Sequence, residues 1–409
     1  MGSLLIVGAG PAGLMASGTA AAAGWRVVVA ERNDRPARKL MITGKGRCNV
    51  TNNCEKIEDL VANIPVNGRF LYSAFSSFMP SDTIRFFESR GVALKTERGN
   101  RVFPQSDKAT DIVDALVSYA NENGAEFEKV RVTDLIIEQK KVKGVSTAEG
   151  RTLFADRVII ATGGVSYSAT GSTGDGYSLA RQAGHSIIEP KPSLVPLNAH
   201  DWFCPALQGL SLRNVAVSVY DNKTKKTIFR DFGELLFTHF GISGPIALSA
   251  SSHMREMLEE RYVFEIDLKP ALTYEQLDLR ILRDFEKNKS RNFINALNNL
   301  LPKKMVPVVV KLCGIEPGLR VSQVTKEQRK TLVNILKSFK VTISGFRPID
   351  EAIITSGGIK TEEINPKTME SKLCSGLFFA GEVIDVDAYT GGFNLQIAFS
   401  TGYLAGKNL

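Results

Sequence analysis

At 409 residues the chain exceeds what one ordinary core holds, so two or three domains are expected. A content of 43% hydrophobic and 23% charged residues excludes disordered and fibrous classes, and no apolar run approaches the roughly 20 residues that span a bilayer. The net charge of +8 is unevenly placed: residues 268–347 hold 16 Lys/Arg against 6 Asp/Glu, a net of +10, leaving 35 against 37 elsewhere. Such a segment is either a solvated helical surface or a docking face for a phosphate-bearing partner.

Five scattered cysteines, with no CxxC pair, and four histidines fit neither a disulfide framework nor a zinc site, so no metal is expected. Met1-Gly2-Ser3 runs straight into an apolar strand, without the basic start and cleavage site of a leader, which points to a cytoplasmic protein.

In chain order, Leu4–Val7 reads as a buried strand, Leu14–Ala23 as an Ala-rich helix and Val27–Ala30 as a second buried strand, together a parallel βαβ unit. Between strand and helix stands Gly8-Ala9-Gly10-Pro11-Ala12-Gly13. Gly8 permits the tight turn, Gly10 lets backbone approach a pyrophosphate, and Gly13 lets helix touch sheet. Ala12 and Gly13 open the helix, whose free N–H groups suit an anion. Glu31 ends the second strand, where a carboxylate accepts from a ribose hydroxyl pair and repels a 2′-phosphate, so NADP is a poor fit here.

Three further segments favour FAD over NAD. Ile42–Asn49 is a glycine-rich loop where flavin folds pass over the isoalloxazine; its backbone at Gly46 and the Arg47 charge can support a reduced flavin. A buried strand at 158–161 ends in Thr162-Gly163-Gly164, a turn that can pass beneath a dinucleotide. Near the end, Gly376–Gly381 returns to strand plus glycine, Glu382 can bind a ribityl hydroxyl, and the Gly392–Leu395 amides start a last helix, 394–405, aimed at the flavin.

Between these lie an amphipathic helix over 105–123, a hairpin within 126–146, and a polar loop at 170–177 in which Asp175 is either an N-cap or part of a flavin-facing loop. Residues 193–265 read as short strands and 273–340 as helices. The expected fold class is α/β: a discontinuous Rossmann-like FAD-binding domain (1–190 plus 350–409) around an insert at 191–349, β-rich over 191–267 and mainly helical over 268–349.

The strings GAGPAG, GKGRCN, ATGG, TGSTGDGY, THFGISGP and GEVIDVDAYTGGFNLQ resemble the YhiN/BaiN-type flavoproteins, a family labelled aminoacetone oxidase or NAD(P)/FAD-dependent oxidoreductase, over essentially the whole chain. The resemblance implies FAD contacts at Gly8, Gly10, Ala12, Gly13, Glu31, Arg32, Lys39, Gly46, Arg47, Cys48, Asn49, Val132, Thr162, Gly163, Gly381, Glu382, Gly392, Asn394, Leu395 and Gln396. It also implies that the loop Thr238-His239-Phe240-Gly241 faces the flavin, which makes His239 a candidate proton donor beside Thr238; the alternative is a turn histidine with a structural bond. Ala388 departs from the family's pattern, which has glycine there. Cys48 is a candidate catalytic residue and flavin contact; with five residues between it and Cys54, the pair does not match a disulfide reductase.

The expected function is an FAD-dependent oxidoreductase acting on a small organic substrate, with NAD(P)H or dioxygen as redox partner. No second GxGxxG follows a strand, so any nicotinamide binds transiently. The alternatives are an RNA-modifying flavoprotein using the basic segment, and a non-catalytic flavin sensor. Few aromatics in that segment (Tyr274, Phe285, Phe293, Phe339, Phe346) weigh against nucleic acid.

Overall fold

A computed structural model describes residues 2–254 and 256–409; Met1, where the expectation of no leader falls, and Arg255, within the expected strand-rich stretch, lie outside the described residues. The chain forms two compact units, Met1–Ser193 with Pro348–Leu409, and Leu194–Arg347.

The first unit is built on a five-stranded parallel sheet. Its strands are β1 (Ser3–Val7), β2 (Arg26–Glu31), β3 (Glu126–Lys129), β4 (Arg157–Ile160) and β5 (Leu377–Phe379), in the spatial order β5-β4-β1-β2-β3. Leu4, Leu5, Ile6, Ile159 and Phe379 are buried, as strands covered on both faces require. The helix after β1, α1 (Pro11–Ala22), starts with proline at its first position, where the missing N–H costs nothing. Against it packs the last helix, α2 (Phe393–Lys407). The approach is backbone to backbone: a Cβ at Gly402 would lie 2.3 Å from the Ala12 carbonyl oxygen, and one at Gly406 2.6 Å from that of Ala16. Small residues thus bring the two chain ends together.

The expected hairpin is present as Val132–Glu138 against Lys141–Thr147. The amphipathic helix begins later than expected, at Ala109, because residues 104–107 form a turn, with Asp107 N–H donating to the Pro104 carbonyl and Asp107 at φ +57°; before it, Arg101–Pro104 pairs as a strand with Leu94–Glu97 and Thr51–Asn52. A further antiparallel pair, Ile187–Ser193 with Ile354–Ile359, had no signal in the periodicity.

In the second unit, six strands close a barrel: Leu197–Ala199, Gly241–Ser243, Lys226–Phe237, Ser211–Asp221, Tyr262–Asp267 and Phe339–Phe346. Ser211–Asp221 and Lys226–Phe237, at 11 and 12 residues, are longer than the short strands expected. The stretch after 268 carries the helices Tyr274–Lys287, Met305–Cys313 and Lys326–Lys337; Thr273 with Gln276, and Thr325 with Gln328, form capping boxes. It then departs from the helical expectation, because Phe339–Phe346 is the strand that closes the barrel. Its buried residues Phe339, Val341 and Ile343 recur every second position, the strand period.

Candidate cofactor site

The GAGPAG turn is held from below by β2. Gly8 N–H donates to the Ala30 carbonyl at 2.9 Å and Ala9 N–H to Glu31 Oε2 at 2.8 Å. A Cβ at Gly13 would sit 2.0 Å from the Gly8 oxygen, so the helix presses on the turn, whereas one at Gly10 would meet nothing nearer than 3.9 Å. The space over Gly10 is therefore open to a ligand. The first bond within α1 is Leu14 N–H to Gly10 O at 2.9 Å, which leaves the Ala12 and Gly13 amides without intrahelical acceptors. They form an anion cradle.

Glu31 also accepts at Oε1 from the Asn33 backbone (2.8 Å) and side chain (2.7 Å). A carboxylate offers about four acceptor positions, so capacity for a ribose hydroxyl remains. A cavity of about 390 Å³ opens beside Glu31, lined also by Asn33, Pro36 and Phe127.

The two chain ends meet again at Lys39. Its Nζ lies 2.7 Å from Glu382 Oε2 and 2.7 Å from Ser166 Oγ. Glu382 accepts in addition from Thr355 N–H at 2.8 Å and Ser166 Oγ–H at 3.1 Å. The turn starting at Gly381 abuts α1, since a Cβ there would lie 2.8 Å from the Ala12 Cβ. Ser166 and Thr355 escaped sequence reasoning; a lone hydroxyl carries no periodic signal.

Several expected contacts have other partners. Arg47 pairs with Glu97 at 2.5 Å and Asp107 at 2.6 Å and lies 4.2 Å over the Phe103 ring, so its charge is already countered. Arg32 donates to Thr173 Oγ1 at 2.5 Å and pairs with Asp175 at 3.2 Å. Asp175 is not the N-cap of its helix; Gly174 holds that position, and Asp175 pairs also with Arg131 at 3.1 Å. The Cys48 thiol is wholly buried, and burial pushes it up to about 12, so it stays protonated near neutral pH. That is a correction to its candidacy as a catalytic group. Cys54 is likewise a free thiol, donating to Asn52 Oδ1 at 2.9 Å.

Val132 is buried in the strand opposite Thr147. Asn49 Oδ1 and Thr162 Oγ1 are buried without a protein hydrogen-bond partner, orphaned acceptors in the two glycine segments expected to contact the cofactor. Gly46 and Gly163 both take positive φ in those segments.

At the start of α2, Gly392 has φ +98°, and a Cβ would meet the Thr51 carbonyl at 2.3 Å. The first helical bond here is Gln396 N–H to Gly392 O at 3.1 Å, so the amides from Phe393 to Leu395 remain for a ligand. Asn394 brackets Ala388: its Oδ1 accepts from the Ala388 N–H at 3.0 Å and its Nδ2 donates to the Ala388 carbonyl at 2.8 Å. Ala388 does not adopt a positive φ, which explains why alanine suffices there. The Gln396 side chain, expected on the cofactor, is instead fully used inside the protein.

In the second unit, His239 is exposed at the turn between Lys226–Phe237 and Gly241–Ser243, with its ring 5.0 Å from that of Phe240. Thr238 closes that turn: its N–H donates to the Gly241 carbonyl at 2.9 Å, and its Oγ1 accepts from Gly241 N–H at 3.2 Å.

An open glycine turn, a strand-end glutamate, orphaned acceptors and a second helix start fit FAD, and the fold is that of a Rossmann-type, FAD-dependent oxidoreductase. Residues 2–408 match the family described as HI0933-like protein Rossmann domain, and the chain belongs to that family, the one the YhiN/BaiN-type motifs indicate. The chain is 31% identical over 415 residues to the 3-dehydro-bile acid delta(4,6)-reductase of Clostridium scindens, covering 100% of this chain and 98% of that one. It is 31% identical over 407 residues to the ribosomal RNA dihydrouridine synthase of Escherichia coli, covering 99% and 97%. The 3-ketosteroid delta1-dehydrogenase of Sterolibacterium denitrificans, solved with 1,4-androstadiene-3,17-dione, shares the fold at a TM-score of 0.53 and 12% identity, with 99% of each chain covered.

Proposed function

We propose that the protein is an FAD-dependent reductase of a small organic substrate, saturating a carbon–carbon double bond conjugated to a carbonyl. The observation that carries the reading is the meeting of both chain ends at one cradle, with Gly402 on Ala12 and Lys39 on Glu382. Two relatives that share almost the whole chain support the bond type, because both a delta(4,6)-reductase and a dihydrouridine synthase saturate a carbonyl-conjugated double bond.

FAD, when bound, supplies a hydride for the β-carbon of that bond, and NAD(P)H restores the reduced form; dioxygen is the competing acceptor. The Ala12 and Gly13 amides would hold the pyrophosphate and Glu31 the ribose. The amides from Phe393 to Leu395 would hold negative charge at the flavin ring. His239, whose loop the family resemblance implies to face the flavin, is the candidate proton donor to the α-carbon.

The test is anaerobic reduction with NADH and with NADPH, followed by a panel of acceptors. Reoxidation by conjugated enones but not by isolated alkenes is expected. A flavin that no nicotinamide bleaches, or that only dioxygen reoxidises, contradicts the reading. His239→Asn should lower the rate of substrate reduction by about 10²–10⁴-fold while flavin reduction by the nicotinamide is unchanged. Equal rates in the variant remove His239 from the chemistry.

A second reading, in which the double bond belongs to a uracil in RNA, is favoured by the net charge of +10 over residues 268–347. On the second unit Lys303, Lys304, Lys311, Arg320, Lys326 and Lys330 are exposed, and so is Trp202, whose ring carries the Lys311 ammonium at 4.0 Å. RNA binding that weakens steeply between 50 and 200 mM salt, roughly 10³-fold or more, is the expected sign. No shift at low salt removes this reading.

A further inference from the structure

The Gln396 amide has two donors and two acceptor positions, and the protein takes all four. Oε1 accepts from Thr51 Oγ1–H at 2.6 Å and Thr83 Oγ1–H at 2.8 Å. Nε2 donates to the Phe78 carbonyl at 3.0 Å and to Ser400 Oγ at 2.9 Å, and Ser400 Oγ–H itself donates to Phe78 O at 2.7 Å. Gln396, Thr51, Thr83 and Ser400 are each 0% exposed. Nothing of this amide is left for a cofactor.

The bonds join segments remote in sequence. Thr51 begins the short strand that follows the glycine-rich 42–49 loop, and Gln396 lies in the first turn of α2. The same two segments touch twice more, through Asn52 Nδ2–H to the Gly391 carbonyl at 3.1 Å and through the close approach of Gly392 to the Thr51 carbonyl. Thr83 and Phe78 belong to neither segment; they anchor the cluster to the helix Pro80–Ser89 and its approach.

We propose that Gln396 is a positioning residue, whose buried amide locks the flavin-covering loop to the start of α2 and so fixes where the Phe393–Leu395 amides stand. The proposal rests on the reading that those amides face the flavin. Its consequence is electrostatic. Partial positive charge at a helix start falls off within about one turn, so a small displacement of the loop against the helix changes the binding of reduced FAD more than that of oxidised FAD.

The two threonines give the test. Thr51→Val and Thr83→Val each delete one fully buried hydroxyl bonded to the same oxygen, so both lose comparable stability. Only Thr51→Val removes a bond between the loop and the helix, whereas Thr83→Val leaves every loop-to-helix contact in place. The two-electron potential of bound FAD, its release on dilution and the thermal midpoint are measured for both. The expected result is a similar fall in midpoint for the two, with a lower potential in Thr51→Val alone. Reduced FAD should there bind about tenfold less tightly relative to oxidised FAD, a shift of about 30 mV. Thr51→Ser keeps the hydroxyl and should hold the wild-type potential. Equal shifts in both valine variants, or none in either, overturn the proposal. A wild-type potential equal to that of free FAD overturns the helix-start reading instead, and the proposal falls with it.

Discussion

Cys48 and Arg47 show how context redirects a residue that stands in the right place. Both occupy a loop that suits a flavin, yet the thiol is buried and pushed up to about 12, and the guanidinium is held by Glu97 and Asp107. Cys48→Ala should therefore keep FAD and turnover within about twofold of wild type, and the folded protein should leave Cys48 unlabelled by iodoacetamide; loss of turnover with FAD retained would contradict this. His185 behaves differently. Its ring is buried, with Nε2 2.7 Å from Ser371 Oγ and Nδ1 3.2 Å from Glu363. Burial pushes its pKa down, and the nearby Glu363 carboxylate only partly opposes that. The unfolded chain then binds a proton more readily than the folded one, so stability is full above the ordinary histidine value of about 6.5 and falls as pH drops below it. Thermal midpoints at pH 7 and pH 5 should differ less in His185→Gln than in wild type; an equal difference would show that another group carries the acid sensitivity.

At the scale of elements, close approach between α1 and α2 matters more than either helix's own pattern. Gly402→Ala places a methyl against the Ala12 carbonyl, and overpacking of this kind costs about 1–3 kcal/mol. The variant should lose FAD faster on dilution as well as melt earlier, because the helix starts move with the helices; unchanged FAD release would separate the packing from the site. The terminal elements were legible in the sequence because a continuous apolar strand followed by glycine is a local signal. Phe339–Phe346 was not, since Lys340 continues the lysine pattern between its apolar residues and only the alternation of Phe339, Val341 and Ile343 distinguishes it from the preceding helix. Ser166, Thr355, Thr51 and Thr83 were illegible for another reason: hydroxyls serve a site through partners far away in sequence, as the 343-residue separation of Lys39 and Glu382 illustrates.

Across the whole molecule, charge and cofactor machinery are segregated by sequence. The dinucleotide elements lie in the first unit, while the basic excess lies within 268–347, all of it in the second. No helix among the described residues is long and apolar enough to cross a membrane. In the proposed function, amides from both ends of the chain hold one FAD. Hydrogen exchange of the protein with and without FAD tests it most directly. Slowed exchange in residues 8–14 and 391–396 together is expected on FAD binding; protection confined to one of these segments, with the other unchanged, would rule out a shared cradle.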